Sequence, residues 1–133
     1  MSVATALGIK IIKVSPKLVE LKLPITSAVQ QPYGVVHGGI NALLAEEAAS
    51  LGANAVLQAN QRTKEAAVGV DLNVNQLQAV SWGTLIAQAI PLHLGYRLQT
   101  WQVKIYEQDS QITTAFATLR LTSQTISQEK PSK

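Results

Sequence analysis

Glu46, Glu47, Ser50 and Asn54 are polar side chains in a mostly apolar run between Gly38 and Leu57. On a helix turning 100° per residue they share an arc of roughly 100°. A carboxylate on such a helix is costly to bury unless paired, and burial raises its pKa, which is one way proteins make an acid or a base. The same arc also suits a solvated stripe or a contact satisfied at a subunit interface. Glu46 and Glu47 point about 100° apart, so they face different surroundings and do different jobs.

A second feature precedes this run, His37-Gly38-Gly39. Glycine lets a ligand approach the backbone closely. The first amides of a helix lack internal partners and sit at the positive end of its dipole, where they can hold a developing oxyanion. A tight loop-to-helix junction with a packed or capping histidine reads the same way. Glu46 lies eight residues beyond Gly38, about 12 Å along a helix axis. One substrate carbonyl cannot touch both groups of a single chain. They meet if two chains pair with their helices antiparallel, which gives two equivalent sites per dimer, each built from both chains.

The elements that must hold these groups follow from hydropathy. Gly8 to Val14 and Lys17 to Leu23 read as a hairpin, the second run setting Val19, Leu21 and Leu23 opposite Glu20 and Lys22. Pro24 to Val36 reads as a loop. Gly38-Gly39 opens the one expected helix, rich in Ala and Leu, which runs to about Leu57 and is apolar round most of its circumference. After a polar connector, Gln58 to Lys64, four strands are expected. Glu65 to Asn75 sets Val68, Val70, Leu72 and Val74 on one side. Thr84 to Leu92 follows, then Tyr96 to Tyr106 with Trp101, Val103 and Ile105 on one face, then Gln111 to Thr122. Residues Ser123 to Lys133 read as a polar tail after a single domain at 1–122. The order predicts an α+β fold in which an antiparallel six-stranded sheet wraps one long central helix.

Composition narrows the classes. A chain of 133 residues fits one domain. With 47% hydrophobic and only 14% charged residues it is too apolar for disorder, and much of its surface is expected to be covered, most simply by copies of itself. The absence of cysteine excludes disulfides, thiolate metal sites and a cysteine nucleophile. Two distant histidines make a metal site unexpected. No run reaches the roughly 20 apolar residues of a membrane span and no signal peptide is recognisable, so a cytoplasmic location with no membrane partner is expected. The net charge of +3 is scattered, which argues against nucleic acid and suits a basic rim for a phosphorylated ligand.

The segment Gln31-Pro32-Tyr33-Gly34-Val35-Val36-His37-Gly38-Gly39, with Leu44-Ala45-Glu46 and Ser50 after it, resembles the hotdog-fold acyl-CoA thioesterases. It is most similar to the branch containing the Arthrobacter-type 4-hydroxybenzoyl-CoA thioesterase and the bacterial 1,4-dihydroxy-2-naphthoyl-CoA hydrolases. Gly69 to Asn75, Pro91 to Arg97 and Trp101-Gln102-Val103 resemble the family as well, so the likeness spans about residues 7 to 122. It implies that Glu46 attacks the thioester carbonyl or activates the water that does. It further implies that the Gly38 amide polarises the thioester oxygen, that Gln31 orients the thioester, that His37 shapes the helix mouth, and that Ser50 orients the carboxylate or the water. Gly39, Leu51, Gln76 and Arg97 are implied to contact substrate, Arg97 near the nucleotide phosphates, while His93 is structural. Gln76 stands where the branch often has histidine, and Tyr96 where a smaller or basic residue is common. The resemblance implies an acyl-CoA substrate with an aromatic acyl group, dihydroxynaphthoyl of menaquinone synthesis being one example. It implies no cofactor and no metal, and a homodimer at minimum, commonly a homotetramer. Two other readings fit the same fold: a hydro-lyase acting on hydroxyacyl thioesters, and an acyl-CoA-binding module without catalysis.

Overall fold

The computed structural model describes residues 2–126. In chain order its elements are α1 (Val3–Leu7), β1 (Lys10–Val14), β2 (Val19–Pro24), α2 (Gly38–Ala59), β3 (Glu65–Gln76), β4 (Thr84–Leu94), β5 (Leu98–Glu107) and β6 (Thr113–Thr125), with a 3-10 turn at Ser27–Val29. The strands form one antiparallel sheet in the order β1-β2-β4-β5-β6-β3. The chain therefore leaves the sheet after β2, crosses it as α2 and rejoins it at the opposite edge as β3. Helix α2 touches all six strands, so the sheet wraps it as the sequence predicts.

Alternation along the strands sets the core. Val19, Leu21 and Leu23 of β2 and Trp101, Val103 and Ile105 of β5 are fully buried, since every second residue of a strand faces the same side. The helix answers with small side chains, Ala45, Ala48, Ala49 and Ala53, all fully buried. At Gly52 the indole of Trp101 lies so close that an added Cβ would overlap its ring. The indole N–H of Trp101 donates to Gln99 Oε1 at 2.9 Å, and Gln99 Nε2 donates to the Ala53 carbonyl at 3.2 Å. These buried polar atoms are paired, as burial requires, and they tie β5 to α2.

Several sequence expectations are corrected. The expected single helix has a companion, α1. Ser2 Oγ caps it by accepting from the Thr5 amide at 3.1 Å, and Gly8 ends it at φ +88°. A five-residue helix is too short to show periodicity and rests on its caps, so the first strand begins at Lys10 rather than Gly8. The four apolar residues of β3 do not share a face. A bulge between Gly69 and Asp71 shifts the register: Val68 pairs with Thr122 before it, while Leu72 and Val74 pair with Leu119 and Ala117 on the helix side after it. One extra residue reverses the alternation beyond it. The tail starts later than expected, because Ser123 to Thr125 pair with Ala67 to Glu65 at the end of β6. Residues 127–133 of that tail lie outside the described residues. Gly95 to Arg97 form the turn before β5, the Gly95 amide donating to the Leu98 carbonyl at 3.0 Å, so that strand starts at Leu98 instead of Tyr96.

Candidate active site

The helix mouth is built from three residues. His37 is the N-cap of α2, and its Nδ1 accepts the Gly39 amide at 2.9 Å. An imidazole nitrogen that accepts carries no proton, so the neutral ring holds its proton on Nε2. The His37 carbonyl accepts the Ile40 amide at 2.9 Å. The Gly38 amide makes no hydrogen bond among the described residues. The cap thus occupies the Gly39 and Ile40 amides and leaves the Gly38 N–H, at the positive end of a 22-residue helix, for an incoming acceptor.

Gln76, the last residue of β3, closes over this mouth. Its Nε2 donates to the Gly38 carbonyl at 3.0 Å and its Oε1 accepts from Asn41 Nδ2 at 2.7 Å. A Cβ on Gly38 would stand 3.2 Å from Gln76 Nε2, so glycine there matches the pressing side chain. Beside them opens a cavity of about 260 Å³ lined by Gly38, Asn41 and Gln76 together with the segment after β3.

Glu46 lies two turns further along α2, against the bulged edge strand. Its Oε1 is near Gly69, where a Cβ would meet it at an ordinary 3.9 Å. With Gly69, Val70, Asp71, Leu72 and Leu119 it lines a hollow of about 150 Å³. Glu46 is exposed in the single chain and makes no hydrogen bond or ion pair among the described residues. Asp71, in the same hollow, is engaged on the outer face by Arg120, whose guanidinium holds the carboxyl below its usual range. Because Gly38 touches Gln76 and Glu46 shares its hollow with Gly69, the two groups stand at separate levels of β3, as the helix rise requires.

The other sequence-derived residues divide into those at the site and those elsewhere. Ser50, one turn beyond Glu46, is half-buried and its hydroxyl makes no hydrogen bond among the described residues. Leu51 is half-buried and packs on the core. Glu47 is half-buried apart from the Glu46 hollow. Asn54, on the same arc as Glu46, is a tether: its Oδ1 accepts the Ala67 amide at 3.0 Å and its Nδ2 donates to the Ser50 carbonyl at 2.8 Å, fixing β3 to the helix. Gln31 sits in a tight loop and its Oε1 accepts the Tyr33 amide, leaving its Nε2 hydrogens to donate outward. Arg97 is not brought to either group in one chain. Its neighbour Tyr96 lies by the C-terminal end of α2, where Arg62 stacks on the Tyr96 ring at 3.9 Å and pairs with Glu65 at 2.6 Å. Among the described residues, no three His, Asp, Glu or Cys side chains converge as a metal ion would need.

Asn41 escaped the sequence reading. It is 6% exposed and occupies the helix row 41-45-49-53, whose other members are alanines. A polar residue in phase with a buried row was the available signal.

The comparisons bear on the family and the fold. Residues 33–114, more than half of the chain, match the Thioesterase superfamily. A 1,4-dihydroxy-2-naphthoyl-CoA hydrolase of Listeria monocytogenes is 32% identical over 112 residues, covering 84% of this chain and 88% of the relative. A proofreading thioesterase, EntH, of Klebsiella pneumoniae is 32% identical over 102 residues, covering 77% and 72%. The crystal structure of a thioesterase from Haemophilus influenzae superposes with a TM-score of 0.85 at 31% identity, covering 93% of this chain and 83% of that one. The wrapped helix, the six-stranded antiparallel sheet and these matches make the chain a hotdog-fold member of the thioesterase superfamily, a thioester hydrolase.

Proposed function

We propose that this protein hydrolyses acyl-CoA thioesters, preferably with an aromatic acyl group of the 1,4-dihydroxy-2-naphthoyl kind, at two equivalent sites shared by two copies of the chain. One observation carries the reading. Among the described residues the Gly38 amide and the Glu46 carboxylate are both unpartnered, and they sit at levels of an edge strand that an antiparallel copy would bring face to face. The amide receives the thioester oxygen as negative charge develops on it. Glu46 of the other copy attacks the carbonyl carbon or takes the proton of the water that attacks. The C–S bond breaks and the thiolate leaves as CoA and is protonated; where Glu46 itself attacked, the acyl group is then held on it as a mixed anhydride that water cleaves, and on either route the acyl group leaves as the free acid. Ser50 and Gln31 orient the reacting groups, and His37 holds the mouth in shape.

The edge strand β3 supports the pairing. It is twelve residues long, lies at the sheet edge and exposes Val68, Val70 and Leu72, a surface that invites another strand. Setting the Glu46 level, Gly69, against the partner's Gly38 level, Gln76, places the two-fold axis at Leu72 or Asn73. The same register brings the connector that carries Arg62 and Lys64, with the adjoining Tyr96-Arg97 turn, toward the partner's helix mouth, where Arg97 meets the nucleotide phosphates of CoA.

Release of free thiol from a panel of CoA thioesters tests the reaction, and the same panel ranks acyl groups. Enoyl absorbance without thiol would instead identify a hydro-lyase, and binding without either product would identify a binding module. Since the chain has no cysteine, an Asn73→Cys variant tests the pairing: it is expected to oxidise to a covalent dimer, while Lys10→Cys on the opposite edge is not. Equal cross-linking at both positions would overturn the assigned register.

A further inference from the structure

We propose that Asn54 is a positioning residue for the reaction, holding β3 at the spacing from α2 that aims Glu46 at the neighbouring copy's helix mouth. The inference rests on the thioesterase reading, because it takes Glu46 as the reacting carboxylate. Glu46, Ser50 and Asn54 follow one another at single-turn intervals along one face of α2. Asn54 Nδ2 donates to the Ser50 carbonyl at 2.8 Å. That bond anchors the side chain on its own helix and leaves Oδ1 to accept the Ala67 amide of β3 at 3.0 Å. Ala67 is 8% exposed, so its N–H depends on this acceptor.

The bond falls where β3 is least restrained by its neighbour. Ala67 lies two residues before Gly69, and the bulge between Gly69 and Asp71 leaves Val70 without a partner on β6. A bulge interrupts the ladder and lets the strand bend. Among the described residues, side-chain hydrogen bonds join α2 to β3 at two places, Asn54 with Ala67 and Gln76 with Gly38 and Asn41. The bulge, and the hollow in which Glu46 stands, lie between them. Glu46 bonds to no group among the described residues, so its place against the strand is set by where these two ties hold β3. In the dimer, the path from Glu46 to the partner's Gly38 amide runs through β3, across to the partner's β3, and back through its Gln76. Asn54 fixes the first of those steps. A displacement of about 1 Å between reacting groups costs on the order of 10²-fold in rate, with the substrate's binding surface still in place.

The test separates kcat from KM, using release of thiol from 4-hydroxybenzoyl-CoA by the full chain. Asn54→Ala is expected to lower kcat by about tenfold or more and to change KM by less than about threefold. In a Glu46→Gln background the same substitution is expected to lower kcat no further, since Asn54 acts through Glu46. Gly52→Ala, on the opposite face of the same helix, controls for lost stability and is expected to keep kcat per folded molecule. Should Asn54→Ala fail to fold, Asn54→Leu, which keeps the volume and also lacks the acceptor, gives the same measurements. A kcat within about twofold of the parent's overturns the proposal while leaving thioester hydrolysis standing. So does a loss that persists undiminished on top of Glu46→Gln, or one that Gly52→Ala reproduces, because either marks a merely structural role. A parent that releases no thiol from any thioester, or a fully active Glu46→Gln variant, overturns the underlying reading and this one with it.

Discussion

Glu107 and Glu46 are both carboxylates set beside a glycine, and they differ in nearly everything else. Glu107 is 1% exposed. It accepts the amides of Thr84 at 3.1 Å, Asp109 at 3.0 Å and Ser110 at 2.7 Å, and Gly83, at φ +95°, makes room for it. These donors hold its pKa down to about 2, led by the Ser110 amide against the opposing effect of burial. Its hydrogen-bonding capacity is spent on joining β4 to the β5–β6 turn. Glu46 stands exposed, with no partner among the described residues, beside the edge strand β3. A saturated carboxylate holds a fold together and an unsaturated one is free to react. The contrast matters more than the carboxylate itself.

The widest separation between the two is expected in turnover. Glu46→Gln keeps the shape and removes the charge, and thiol release is expected to fall by about 10³-fold, within the range for loss of an acid–base or nucleophilic group. Its melting temperature is expected to match the parent's, as for a surface substitution. Full activity in this variant would remove Glu46 from the reaction.

A core change is expected to have the next largest effect, and on stability alone. Gly52→Ala drives a methyl into the Trp101 ring and is expected to cost about 1–3 kcal/mol, as overpacking does. Denaturant melts give the cost, and an unchanged midpoint would mean that the indole and helix separate freely.

Glu107→Gln should reverse the Glu46 result. Replacing one carboxylate oxygen with an NH₂ sets donor against donor and is expected to destabilise by about 1–3 kcal/mol, with activity per folded molecule retained. The pH dependence has a definite sign. The folded-state pKa lies near 2 and the ordinary value is 4.5, so on acidification the unfolded chain takes up its proton first. The contribution of Glu107 is complete above about pH 4.5 and is lost as pH falls toward 2. Melting curves of parent and Glu107→Gln are expected to converge over that window. A constant gap would assign the stabilisation to something other than the charge.

The two carboxylates also mark what a sequence can disclose. Of the candidate site, the parts legible in the sequence are local: the His37-Gly38-Gly39 junction at the start of the helix, the carboxylate two turns on, and the axial rise that separates them within one chain. The strands were legible where alternation is unbroken, as in Val19 to Leu23 and Trp101 to Ile105. The β3 bulge was not, since an inserted residue has no signature in a pattern of two. Nor was the job of Asn54, because the amide it caps, Ala67, belongs to a neighbouring strand. Glu107 was hidden for the same reason: its three donors come from two separated segments. Groups that depend on what folding brings beside them stay silent in the chain.

The smallest expected effect falls on Asp71, the second carboxylate of the Glu46 hollow, and it sharpens the comparison most. Asp71 shares the openness of Glu46 and the engagement of Glu107. It is exposed, yet Arg120 holds it in an ion pair that lowers its pKa and raises that of the arginine. A carboxylate held in its charged form by a guanidinium is a weaker base and a poorer nucleophile than a free one. It also belongs to the outer face of the sheet, because the bulge sets Asp71 across from Arg120, whereas Glu46 reaches the hollow from the helix side. Exposed ion pairs contribute little to stability. Asp71→Asn is therefore expected to leave the melting temperature near the parent's and to change kcat/KM by less than about threefold, a surface-charge effect. A loss approaching that of Glu46→Gln would make the two carboxylates a working pair and would end the assignment of the chemistry to Glu46 alone.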